Sequence, residues 1–160
     1  MPLRKLRPVG PAFAGTAPLR FAFTARMAAA PEAVYRALAD EVEAWPRWFG
    51  AVTLARPLET EGLGGREVRL RGGLRFRETI TAADEPKRYA YRVDLTNAPG
   101  VRALSEEWAL LPVGAGTVVA WTVAMDAAPL TGPLLRLVRP GVAGEFRRAV
   151  RALDRRLAAG

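Results

Sequence analysis

At 160 residues, half of them apolar and a quarter charged, the chain suits one globular domain and not a disordered tail. It has no Cys and no His, which excludes disulfides, thiol nucleophiles, thiolate or imidazole metal sites and the usual neutral-pH acid/base. The formal charge is +8, and of the 24 basic residues all but Lys5 and Lys87 are Arg, a balance that suits anionic partners.

No metal or cofactor is expected, and any catalysis falls to carboxylates, Tyr, Ser/Thr or Arg. No apolar run approaches the roughly 20 residues of a membrane span. Pro8, Gly10 and Pro11 break the segment after Arg4, Lys5 and Arg7, so no secretory core forms. A cytoplasmic protein is the expectation. Residues 1–17, rich in Pro, Gly and small residues, read as a flexible basic arm, and residues 18–160 as the domain.

From Leu19 the pattern alternates: Leu19, Phe21, Phe23, Ala25 and Met27 share one face of a strand. Pro31 and Glu32 suit a helix start, and Val34, Tyr35 and Leu38 give a short amphipathic helix to about Asp40. A second short helix is predicted over Val42–Phe49. Six strands come next as a meander: Val52–Leu58, Arg66–Arg71, Leu74–Ala83, Arg88–Leu95, Leu104–Leu111 and Thr117–Met125, separated by Gly- and Pro-rich turns. A three-residue turn, Arg71-Gly72-Gly73, pairs Leu70 with Leu74 and keeps Val68, Leu70, Leu74 and Phe76 on one face.

Helical spacing returns from Leu130 to about Ala158. Leu134, Leu137, Val138, Val142, Phe146, Val150, Leu153 and Leu157 form one stripe with Arg residues mostly opposite, and Pro140 predicts a kink or break. Seven antiparallel strands must curl to cover an apolar face, and the last helix supplies the cover.

This order, with several local words, resembles the START-like, polyketide cyclase/dehydrase-like (SRPBCC) superfamily. The words are Ala30-Pro31-Glu32 with Val34-Tyr35, Trp45-Pro46-Arg47-Trp48-Phe49, Gly64-Gly65-Arg66-Glu67-Val68, Phe76-Arg77-Glu78, Glu85-Pro86 with Tyr89-Ala90-Tyr91, Glu107-Trp108-Ala109-Leu110 and Gly116-Thr117. The resemblance spans about residues 19–158. It implies an α+β helix-grip fold: a seven-stranded curved antiparallel sheet around a long C-terminal helix, with two short helices after the first strand. It further implies a cavity between sheet and helix for a lipid, quinone, hormone or polyketide.

Parity along the strands places Phe76, Glu78 and Ile80 together on the apolar side. Glu106 falls with Trp108 and Leu110, and Arg66 with Val68 and Leu70. An ionised carboxylate in an apolar interior must be paired or turn neutral. Glu78 and Glu106 beside an Arg therefore suit a clamp for a ligand's polar group, or an acid/base pair; strand-end salt bridges near water are the alternative. The ligand wall is predicted from Phe76, Tyr91, Val93, Trp108, Leu110, Trp121 and Val123, with Leu134 and Val138 on the final helix. The mouth is predicted near Gly73, Pro99, Val101, Leu130 and Leu134. Trp45, Trp48 and Phe49 are expected to pack the short helices onto the final helix.

The leading expectation is a binder of one small hydrophobic molecule. A polyketide-type cyclase or dehydratase using Glu78, Tyr91 or Arg66 is the enzymatic alternative. A third reading is an interaction module whose basic outer face (Arg69, Arg71, Arg75, Arg77, Arg88, Arg92) meets a membrane or RNA. Aromatics are not interleaved with these Arg residues, so nucleic acid is not expected, while transient membrane contact stays open.

Overall fold

The computed structural model describes residues Met1–Gly160. Period-two sequence becomes β2 (Leu19–Met27), β3 (Val52–Leu58), β4 (Gly65–Leu70), β5 (Arg75–Asp84), β6 (Arg88–Thr96), β7 (Val101–Val113) and β8 (Gly116–Ala127). They form one antiparallel sheet in the order β2-β8-β7-β6-β5-β4-β3, so the first long strand is zipped to the last. The helix-grip expectation holds: this curved sheet packs against α3 (Thr131–Ala159), and α2 (Pro31–Ala39) and a 3-10 segment (Val42–Arg47) come after β2. The β4–β5 register is the predicted one. Leu70 N–H donates to the Leu74 carbonyl at 2.8 Å, and Gly72 and Gly73 both adopt positive φ in the turn.

The first seventeen residues depart from the expectation of a flexible arm. β6 and β7 pair only between Arg88–Arg92 and Ser105–Ala109, then diverge. The arm fills that gap. Its strand β1 (Arg4–Lys5) pairs with Thr96 and Leu95, Leu6 N–H donates to the Asp94 carbonyl, and Arg7 N–H to that of Arg102, both at 2.9 Å. The Arg4 guanidinium reaches the carbonyls of Val101 and Ala98. Two strand edges left with unpaired backbone supply the reason, and burial of Leu6 and Val9 adds to it. A single helical turn, α1 (Phe13–Thr16), leads into β2.

The C-terminal half of α3 grips the concave face through Ala143, Phe146, Ala149, Val150 and Leu153. Phe146 meets Phe23 and Trp121, and Asp154 accepts the backbone N–H groups of Ala28 and Ala29 at 2.9 and 3.0 Å. The N-terminal half differs from the predicted stripe: Leu134, Leu137 and Val138 are exposed. The helix continues through Pro140 and is not broken there. Pro140 removes one intrahelical donor, and both it and Arg136 sit in the exposed half, where water can serve the freed carbonyl.

The β4–β5 and β6–β7 turns share one end of the sheet, as Asn97 shows by accepting from Arg75 N–H and donating to the Gly73 carbonyl. The start of α3 joins them: a Cβ on Gly100 would collide with Thr131.

A polar cluster at the floor of an apolar cavity

The site begins with a close approach of backbone. Gly65 opens β4 opposite Thr79, and a Cβ there would lie 2.5 Å from the Glu78 carbonyl oxygen. The next pair in the ladder is Arg66 with Glu78, both on the concave face. Tyr91 of β6 stands opposite Glu106 of β7, and Trp108 opposite Trp121 of β8. Three cross-strand pairs thus bring a cation, two carboxylates, a phenol and two indoles to one surface.

Their contacts form two connected groups. Arg66 Nε donates to Glu78 Oε2, and the guanidinium carbon lies 3.8 Å from the Tyr91 ring centroid and 4.3 Å from that of Trp45. Tyr91 OH donates to Glu106 Oε2 at 2.6 Å and accepts from Trp108 Nε1 at 3.1 Å. Trp121 Nε1 donates to the same Glu106 oxygen at 3.1 Å. One fully buried donor is left over: Arg66 Nη1 has no partner, in a residue that is only 1% exposed.

Burial sets the protonation of these groups. It pushes the Glu78 carboxyl up from 4.5 to about 7, with nearby Glu106 adding to the rise and Arg66 opposing it. Burial raises Glu106 as well, against hydrogen bonds from Tyr91 and Trp121 and the charge of Arg66. Burial raises the Tyr91 phenol far enough that it acts as a neutral donor. Burial alone would lower the pKa of Arg66; the Glu78 charge outweighs it, and the guanidinium stays protonated.

Above this floor lies a cavity of about 380 Å³, mostly apolar in lining. Of the candidate site residues, Arg66, Phe76, Glu78, Tyr91, Glu106, Trp121 and Val138 line it. Val93, Trp108, Leu110 and Val123 do not. All four are buried in the core behind the wall, with Trp108 stacked on Trp121 at 5.3 Å. Leu134 also stands apart, because its part of α3 turns it to solvent. Trp45 and Phe49, expected mainly as packing residues, are wall, together with Ala51, Val52, Val68, Leu70, Gly141, Val142 and Glu145. Trp45 is fixed by donating Nε1 to the Leu38 carbonyl at 3.0 Å, and its ring lies parallel to Phe49. The exposed members of the lining, Val138 and Gly141, face the half-buried Leu70 and Phe76 across the mouth. The mouth therefore lies at the predicted end of the sheet but further along α3 than Leu130 and Leu134.

The outer face is balanced in part: Arg69, Arg88 and Arg92 have acidic partners, whereas Arg71, Arg75 and Arg77 have none. Glu67 accepts from Arg56 and Arg69, which hold its carboxyl below the ordinary range, and Asp94 accepts from Arg92. No group of acidic residues there or elsewhere has a metal-binding arrangement.

Residues 18–158 match the family model described as polyketide cyclase / dehydrase and lipid transport. Uncharacterised proteins of Mycobacterium tuberculosis and Mycobacterium bovis are 32% identical over 150 residues, which cover 92% of this chain and 89% of theirs. Among solved structures, a START superfamily protein from Mycobacterium smegmatis superposes with a TM-score of 0.72 at 15% identity, covering 88% of this chain and 97% of that one. A Thermus thermophilus protein gives 0.69 at 23%, covering 88% and 98%. The di-domain ARO/CYC BexL of the BE-7585A biosynthetic pathway gives 0.65 at 22%, covering 86% of this chain and 45% of that one. At these identities the structural likeness is one of fold.

Proposed function

We propose that this chain, which belongs to the polyketide cyclase/dehydrase and lipid transport family, binds one small hydrophobic molecule between the sheet and α3. The observation that carries this reading is the unpartnered Arg66 Nη1 in the floor of an apolar cavity. A buried charged donor without a partner costs free energy, and a ligand oxygen placed on it recovers that cost. Apolar contact supplies most of the affinity, about 25 cal/mol per Å² removed from water, while Arg66 and Glu78 fix the polar end. The volume, at the lower end of the usual range for small-molecule sites, suits a single-chain lipid, a quinone or a polyketide-like molecule.

A second reading is favoured by one observation. Glu78 titrates near neutrality inside an apolar cavity, which suits proton transfer in a cyclisation or dehydration. Arg66, with its unpartnered Nη1, would then polarise a carbonyl. Tyr91 is a poor acid here, since its one proton is committed to Glu106, and a poor base, since burial keeps it protonated.

The test is titration with an apolar fluorescent probe, alongside native mass spectrometry of the purified protein for a retained ligand. Val138→Trp, at a half-exposed position on the rim, should weaken probe binding at least about tenfold without shifting the unfolding midpoint. The carrier reading also expects any retained ligand to be released chemically unchanged. A parent that binds no probe, or a Val138→Trp variant that binds as the parent does, overturns the site.

A further inference from the structure

The two halves of α3 are chemically unlike. At the N-cap Leu130 is 91% exposed, in the N-terminal half Leu134 is 59% and Leu137 76% exposed, and no acidic residue of the helix occurs before Glu145. At about 100° per residue these three leucines share one side of the helix, well away from the face that Phe146 and Val150 press onto the sheet. The same side continues toward the C-terminus with Arg148 and Arg155. There Arg71, Arg148, Arg151 and Arg155 line a groove of about 440 Å³. Trp48 backs it, and its buried indole N–H has no partner. Glu145 borders both this groove and the cavity, so the basic groove adjoins the ligand mouth. Arg148 is engaged with Glu145, whereas Arg71, Arg151 and Arg155 have no acidic partner.

We propose that this side of α3 docks on an anionic lipid bilayer. The leucines and Val138 enter the headgroup–acyl boundary, and Arg71, Arg151 and Arg155 meet lipid phosphates. Exposed leucines on a helix with seven Arg against two acids form an interfacial amphipathic surface, and a negative bilayer is the partner that complements both components. Docked in this way, the mouth between Val138 and Phe76 would sit at the lipid surface. The proposal does not depend on what the cavity holds.

Co-sedimentation with lipid vesicles tests it. The parent should bind vesicles in which roughly a third of the lipid is phosphatidylglycerol and ignore vesicles of phosphatidylcholine alone. Combined Leu130→Ser, Leu134→Ser and Leu137→Ser should lower binding at least about tenfold, and so should combined Arg151→Gln and Arg155→Gln. Both variants should keep the parental circular dichroism and the parental affinity for the apolar probe, which separates this outcome from a failure of the cavity. Equal binding to both vesicle types, or no loss in either variant, overturns the proposal. So does a parent that dimerises through the leucines, becomes monomeric in the Ser variant and leaves vesicles untouched; a second copy would then cover the face.

Discussion

Replacing Glu78 by Gln tests whether burial or the Arg66 pair controls this carboxyl. The folded state holds the Glu78 proton up to about pH 7, whereas an unfolded carboxyl releases it near 4.5. Between those values the native chain binds the extra proton, so stability falls as pH rises and levels off above about 7. The difference corresponds to about 3 kcal/mol, a large share of a typical domain's stability. The sign is opposite to that of a surface salt bridge, whose carboxylate stabilises as it ionises. Urea unfolding of the parent and of Glu78→Gln at several pH values isolates the effect, because the remaining carboxylates contribute similarly to both. The parent's advantage over the variant should shrink by roughly that amount from about pH 4.5 to about 7 and then stay flat. An advantage that is constant or grows across the window would mean that Glu78 stays ionised and that Arg66 outweighs burial.

Leu6→Ala should lower stability by about 2–3 kcal/mol, the cost of deleting a buried leucine, in the same urea assay. An unchanged midpoint would mean that the arm is detached in solution. Tyr91→Phe leaves Trp108 Nε1 without an acceptor and Glu106 without its shortest donor, so a loss of about 1–3 kcal/mol is expected. The same variant should raise the pH at which Glu106 titrates, followed by carboxyl-selective NMR; a lower value would contradict the hydrogen-bond assignment.

Parity made the polar floor legible in the sequence. Arg66, Glu78, Tyr91 and Glu106 alternate with outward residues on four strands, and each lands on the cavity side. Parity fixes a face but not a position along it. Trp108, Leu110, Val93 and Val123 share the inward face yet are covered by other residues, a matter of curvature and of where Phe146 presses. Trp45 and Phe49 were not placed in the wall because a 3-10 segment with Pro46 inside, and the irregular residues after it that include Phe49, have no period to follow. A two-residue strand has none either, so only the diverging edges of β6 and β7 reveal where Arg4 and Lys5 go. On α3 the apolar stripe was visible, but whether a leucine meets the sheet or water depends on how far the helix overhangs it.

The lodging of the arm between β6 and β7 also bears on the order of assembly. Arg4 and Arg7 find their partners at Val101 and Arg102, and Leu19 pairs with Met125. A chain made from its N-terminus exposes Leu6, Phe21 and Phe23 long before either partner leaves the ribosome. The β3–β6 meander can form from neighbouring hairpins as it emerges, while the two flanking closures wait for β7 and β8. Loop closure across about a hundred residues is the slow step that such topology imposes. Until it happens, the earliest-made apolar strand has no sheet to join, which makes β2 the segment most in need of a chaperone during synthesis.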